Sequence, residues 1–183
     1  YQVNRHIIVD DVTIEGAGNW HTIVKGRLVA LETPAPDGST HTGVGFYGNN
    51  SRNVRLAHFA IEGDVRERID KDQVNGIGGA MSDSVIEGLH IRHTKVGLWF
   101  DGPMTRITVK NNIIVDQIAD GLNFHIGVTD SVVSNNLVRN SGDDGLAMWS
   151  ETTANARNTF ARNTVQTPVL ANGIAVYGGT DTT

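Results

Sequence analysis

The second half of this chain repeats itself, and the repeat limits its fold more than any other feature. VIEGLHIRHTKVGLWFDG from Val85 is followed by ITVKNNIIVDQIADGLNFHIG, VVSNNLVRNSGDDGLAMWSE and FARNTVQTPVLANGIAVYGG. Gly97, Gly121, Gly145 and Gly173 mark the same corner of each copy, at spacings of 24, 24 and 28 residues. A period in the twenties, built from short alternating β-branched runs broken by Gly, Asn and Asp, belongs to stacked strands rather than helices. The leucine-rich repeat shares the period, but its L-x-x-L-x-L pattern is missing. The expected fold is all-β, a right-handed parallel β-helix with coils of about 24 residues, each stacked about 4.8 Å from the last. Two columns support this register. Leu98, Leu122, Leu146 and Ile174, and then Phe100, Phe124, Met148 and Val176, should face inward as apolar ladders. The corner glycines are expected to supply a positive φ. The pairs Asn111–Asn112 and Asn135–Asn136 are expected to serve as stacked turn residues.

The residues preceding the corner glycines form the column Val96, Asp120, Asp144 and Asn172, with Asp143 adjoining. Stacking should therefore bring Asp120, Asp143 and Asp144 together although the first two are 23 positions apart in the chain. Crowded carboxylates repel, so at least one should keep its proton to unusually high pH. One protonated and one ionised carboxyl group are the requirement for glycosidic bond cleavage. A second column, Asp101, His125, Trp149 and Tyr177, is polar or aromatic throughout and should face outward beside the acids. Aromatic rings there suit the apolar faces of sugars. Catalytic roles are thus expected for Asp120, Asp143 and Asp144, and substrate binding for His125, Trp149, Asp101, Tyr177 and Asn172. A turn ladder holding a structural Ca²⁺ between coils is the competing use of the acids.

The remaining features narrow the function by exclusion. All 183 residues read as one β-helix domain, and a start at Tyr1 with a stop soon after a coil-forming run reads as part of a longer catalytic region. A net charge of −5 with scattered Lys and Arg argues against a nucleic-acid partner. No apolar run approaches a membrane span. With no cysteine there is no disulfide framework. Gly43, Gly45 and Gly48 match G-x-G-x-x-G, but turn and strand residues follow where a dinucleotide site needs a helix. His90 and His93 are three apart in strand-like sequence and form no metal pair. The charged run DVRERIDKD, residues 64–72, interrupts the solenoid and is expected to be a solvated loop or short helix, or else a loop projecting beside a binding cleft.

The segments DQVNGIGG, HTKVGLWFDGP, ADGLNFHIGVTDS, GDDGLAMWS and LANGIAVYGG, in that order between residues 72 and 179, resemble glycoside hydrolase family 87, the α-1,3-glucanases and mycodextranases. The resemblance implies a β-helix catalytic domain, an inverting mechanism, and three catalytic aspartates at Asp120, Asp143 and Asp144. By analogy with this family and with pectin-degrading β-helix enzymes, Asp143 is the general acid and Asp120 and Asp144 position the water. The N-T-D, G-H-G and R-I-K motifs of polygalacturonases are absent. Family catalytic regions are longer than this chain. The expected activity is hydrolysis of α-1,3-glucan or nigeran by a secreted, monomeric enzyme without an organic cofactor. Hydrolysis of another polysaccharide such as dextran, or carbohydrate binding without catalysis, is the alternative. Uronate polymers are disfavoured, because they need a basic cleft and no Arg or Lys is expected near the Asp cluster.

Overall fold

The computed structural model describes residues 1–183, and every long sheet in it is parallel. Three sheets wind together as a solenoid. The first has seven strands: His6–Ile8, Gly45–Arg52, Ile77–Ser82, Leu98–Thr105, Leu122–Thr129, Leu146–Met148 and Ile174–Val176. The second runs through six strands from Thr13–Glu15 to Thr159–Ala161, and the third through six from Ile23–Lys25 to Thr164–Gln166. A small antiparallel pair, Val29–Ala30 with His41–Thr42, lies apart from them. This is the parallel β-helix expected from the repeat. GVGFYG enters the strand Gly45–Arg52 rather than a helix, which removes the dinucleotide reading. No helix is long and apolar enough to cross a membrane.

Period-2 alternation builds the core, because every second side chain of a strand points inward. Leu98, Leu122 and Leu146 stack in register, as do Phe100, Phe124 and Met148, and all six are fully buried. The other sheets contribute Ile86, Val109 and Val133, and Ile91, Ile114 and Val138, to the same apolar cluster. The columns hold in register at Ile174 and Val176 but not in burial. Both side chains, on the edge strand of the sheet, are 54% exposed.

Coil length is less regular than the glycine spacing suggests. Offsets between register partners are 39 (His6 to Gly45), 31 (Phe46 to Ile77), 21 (Ile77 to Leu98), 24, 24 and 28 (Leu146 to Ile174). The strands are conserved in position while the connections between them vary. The longest variation falls between the third and first sheets, where residues 26–44 and then 63–76 make much larger corners than residues 93–97 of the following coil.

The corner glycines do a different job from the one expected. Gly97, Gly121, Gly145 and Gly173 are not in left-handed backbone. A Cβ at Gly97 would lie 2.4 Å from the Gly121 carbonyl oxygen, and one at Gly121 2.4 Å from that of Gly145. The role of Gly97, Gly121 and Gly145 is close approach of successive coils, whereas a Cβ at Gly173 would meet only Val165, at 3.9 Å. The left-handed positions belong instead to single residues between strands: Asn53, Asp83, Arg106, Asp130 and Arg157 at one corner, Asn111 and Asn135 at the next, Asp116 and Asn140 at the third. Asn and Asp accept this conformation at least cost among residues with a Cβ. Arg106 and Arg157 pair there with Asp83 at 2.6 Å and Asp130 at 2.6 Å.

The second Asn of each pair is a buried ladder rung. Asn136 Oδ1 accepts from Asn112 N and Nδ2 at 3.0 and 2.9 Å, and Asn136 Nδ2 donates to Val109 O and Asn163 Oδ1, each at 3.0 Å. Asn136→Ala strands these buried partners, so urea unfolding should show a loss of about 2–4 kcal/mol. Asn135→Gly, at an exposed left-handed residue, should leave the midpoint nearly unchanged.

Candidate active site

The site forms at the corner between the third and first sheets, and close backbone packing decides its shape. Gly142 and Gly145 bracket the two adjacent acids. A Cβ at Gly142 would fall 2.0 Å from Ile118 O, and one at Gly145 2.6 Å from Gly173 O. The corner is stitched coil to coil by Gly97 N to Asp120 O (3.1 Å), Gly121 N to Asp144 O (2.9 Å) and Gly145 N to Asn172 O (2.8 Å). Beneath it, buried Gln117 donates to Ile91 O and Val115 O and accepts from Thr94 Oγ1, satisfying the bend's polar groups.

Asp120, Asp143 and Asp144 converge there, with carboxylate oxygens within 4.8 Å of one another. Their spacing is also one that could hold a metal ion. They open onto a cleft of about 640 Å³ lined by Val96, Trp99, Ala119, Asn123, His125, Trp149, Glu151 and Tyr177, with Arg68, Asp70, Gln73 and Lys95 on one wall.

Each acid has its own surroundings. Asp120 is 7% exposed; its Oδ2 accepts from Asn123 Nδ2 at 2.7 Å and its Oδ1 from Asp144 N at 3.1 Å. Burial, reinforced by Asp143 and Asp144 and opposed by the Asn123 bond, pushes its pKa up to about 6. Asp144 is 5% exposed and accepts from Asn172 N (2.8 Å), Asn172 Nδ2 (3.1 Å) and Tyr177 OH (2.9 Å). Asp143 is the most open of the three and forms an ion pair with Arg68, Nη1 to Oδ2, at 2.6 Å.

The outward column is only partly in the predicted register. His125, Trp149 and Tyr177 stack and line the cleft, but a bulge sets Asp101 opposite Ile126 instead of His125. Asp101 stands behind the aromatic wall, accepting from His125 Nδ1 at 2.5 Å and from Trp99 Nε1 at 2.9 Å. The His125 ring lies between those of Trp99 and Trp149, with centroids 4.5 and 4.7 Å away. Its Nε2 is 3.2 Å from Glu151 Oε2 but misaligned for a hydrogen bond. Asn172 does not line the cleft; it supports Asp144 and the Tyr177 hydroxyl.

Sequence reasoning missed Arg68, Asp70, Gln73, Lys95, Trp99, Asn123 and Glu151, and its statement that no Arg or Lys stands near the acids is overturned. Arg68 comes from the charged run, which forms an irregular wall of the cleft, without a helix. Because the insertion enlarges the same corner that carries the acids in later coils, it lies across them. Lys95 was legible, since Lys95, Ala119 and Asp143 fall 24 apart in the same corner column. Trp99 and Asn123 were also legible, as register partners on the outward side between the two inward columns.

The family model described as alpha-1,3-glucanase catalytic domain D2 matches residues 1–183. The chain belongs to this family of glycoside hydrolases. It superimposes on the catalytic unit of a thermostable family 87 α-1,3-glucanase from Streptomyces thermodiastaticus strain HF3-3 with a TM-score of 0.87 and 38% identity, covering 100% of this chain and 31% of that one. The Agl-KA catalytic domain gives 0.84 and 25%, covering 100% and 33%. An aspartate-to-alanine variant of a family 87 α-1,3-glucanase catalytic domain in complex with nigerose gives 0.81 and 28%, covering 100% and 32%. The chain therefore spans about a third of the length of these structures. No curated protein sequence matches it significantly.

The raised Asp120 pKa has a consequence for stability. Between pH 3.8, where the unfolded side chain titrates, and about 6, the folded chain binds more protons than the unfolded one, so stability falls as pH rises through that window. The loss amounts to about 3 kcal/mol at most. Asp120→Asn should therefore unfold at higher urea concentration than the parent at pH 7, with the difference vanishing by about pH 4. Asn123, whose buried Oδ1 has no partner, can turn over to accept from the new amide. Parallel pH profiles for the two proteins would show that Asp120 carries no such burden.

Proposed function

We propose that this chain carries the reacting carboxylates of a secreted enzyme that hydrolyses α-1,3-glucosidic links, in α-1,3-glucan or nigeran, with inversion. The observation that carries the reading is the convergence of Asp120, Asp143 and Asp144 within 4.8 Å in a cleft walled by Trp149 and Tyr177. Two features of the relatives support it. One variant family 87 catalytic domain is in complex with nigerose and others with tetrasaccharides. The three aspartates replaced by alanine in those variants are separated by 23 and 24 positions, the separations of Asp143 and Asp144 from Asp120.

Asp143, the most accessible of the three, donates its proton to the glycosidic oxygen as the C1–O bond breaks. Water held between Asp120 and Asp144 attacks C1 from the opposite side and loses its proton to that pair. Asp144, accepting from Asn172 and Tyr177, is fixed as an acceptor facing the water. The acids crowd more closely than the 6.5–9.5 Å of inverting enzymes with a single base. Two carboxylates sharing one water account for the shorter span. Although Arg68 and Lys95 line the cleft, five acidic side chains lie there too, Asp70, Asp120, Asp143, Asp144 and Glu151, which suits a neutral glucan better than a uronate. The scheme uses no organic cofactor. Ca²⁺ takes six to eight oxygens, and Arg68 already stands as a cation beside Asp143.

Asp143→Asn should lower reducing-sugar release from insoluble α-1,3-glucan by at least about 100-fold, the lower end of general-acid contributions. NMR of the first products should show the β anomer. Below about pH 6 kcat/KM should decline, as Asp120 takes up its proton and leaves only Asp144 to accept one from the water. Equal release from dextran or polygalacturonate would point to another polysaccharide. Glucan binding without release would point to a carbohydrate-binding β-helix.

A further inference from the structure

The enlarged corner is fastened firmly at its ends and lightly in its middle. At one end Asp64 Oδ1 accepts from Leu28 N at 2.5 Å, and Val65 is buried, with its N–H on His93 O at 3.0 Å. At the other, buried Asp72 accepts from Thr40 N at 2.5 Å and from His41 Nδ1 at 2.7 Å. Between these anchors Arg66, Glu67, Arg68, Asp70 and Lys71 are exposed. The middle meets the cleft through Lys95 Nζ on Asp70 O, at 2.9 Å, and Arg68 Nη1 on Asp143 Oδ2, at 2.6 Å. Asp70 also takes Arg68 Nε at 2.6 Å, which aims the guanidinium.

This arrangement conflicts with an acid role for Asp143. A general acid needs a proton on its carboxyl and the leaving oxygen within about 2.6–3.2 Å. The guanidinium occupies that distance from Oδ2 and pairs with the ionised form. An ion pair with side chains 40% and 28% exposed is nonetheless cheap to open.

We infer that Arg68 is a positioning residue that closes over Asp143 in the free protein and whose side chain swings away when a glucan chain enters, freeing Asp143 to take up from solvent the proton it then donates. The inference rests on the reading of Asp143 as the acid of an α-1,3-glucanase. The closed arrangement lowers apparent affinity by the fraction of protein that is open. For an exposed pair that factor is at most about five.

Steady-state hydrolysis of an α-1,3-linked glucose tetrasaccharide and calorimetric titration with nigerose, on Arg68→Gln, Arg68→Lys and Asp70→Asn beside the parent, test this. Arg68→Gln should lower KM and the nigerose Kd together by about two- to fivefold without lowering kcat. Arg68→Lys should return both toward parental values, and Asp70→Asn, which releases the guanidinium from its guide, should move them as Arg68→Gln does but less. A higher KM and Kd in Arg68→Gln would make Arg68 a direct sugar contact and overturn the inference, as would unchanged values. Hydrolysis by the parent with no effect in Arg68→Gln sinks the closure alone. Tighter nigerose binding by Arg68→Gln without turnover in either protein sinks the hydrolase reading alone, and no nigerose binding by any of them sinks both.

Discussion

Stacking of one coil on the next through parallel backbone hydrogen bonds is the constraint from which the rest of this structure follows. At the corner carrying the acids, each glycine N–H reaches the carbonyl of the residue preceding the next glycine, through Gly97 to Asp120, Gly121 to Asp144 and Gly145 to Asn172. That approach tolerates no Cβ. It also places Asp120 and Asp144 one strand spacing apart, whatever their charges prefer. The aliphatic and aromatic columns inside the sheets supply the burial that keeps the coils in register, so the core and the acidic cluster depend on the same repeat.

Three carboxylates in so small a space are relieved in three different ways. Asp120, the most desolvated, keeps its proton to about pH 6 and leans on Asn123. Asp144 is surrounded by donors from the following coil, Asn172 and Tyr177. Asp143 receives a cation from the enlarged corner of an earlier coil. Compensation thus comes from three directions along the solenoid, and only the first partner is near in sequence to the acid it serves. A site of this kind needs several stacked coils before it exists at all, which is why its chemistry belongs to the fold rather than to any one motif.

The outward wall shows how a small irregularity redirects function. A strict period would place Asp101 in line with His125, Trp149 and Tyr177. The bulge after Phe100 moves Asp101 out of that line, where it holds His125 and Trp99 from behind. Trp99, out of the predicted column, instead faces the cleft beside His125.

The repeat was open to reading because stacked coils impose the same demands at each level. Inward positions must be apolar, corners must be small, and bends must accept left-handed backbone, so the β-helix, its core columns and the meeting of Asp120, Asp143 and Asp144 are written in the spacing of residues. Lys95 could have been found by the same counting. Which property of glycine mattered could not, since close approach and positive φ select the same residue, and only the path of the neighbouring coil separates them. Arg68 and Asp70 lie in a segment without period, and where an insertion rests depends on the surface it meets after the coils have closed. The sequence by itself therefore determined the solenoid and the acidic corner, through periodic burial and backbone pairing. The tertiary structure alone decided what surrounds those acids, because the insertion, the bulge and the desolvation of Asp120 arise from contacts that no repeat encodes.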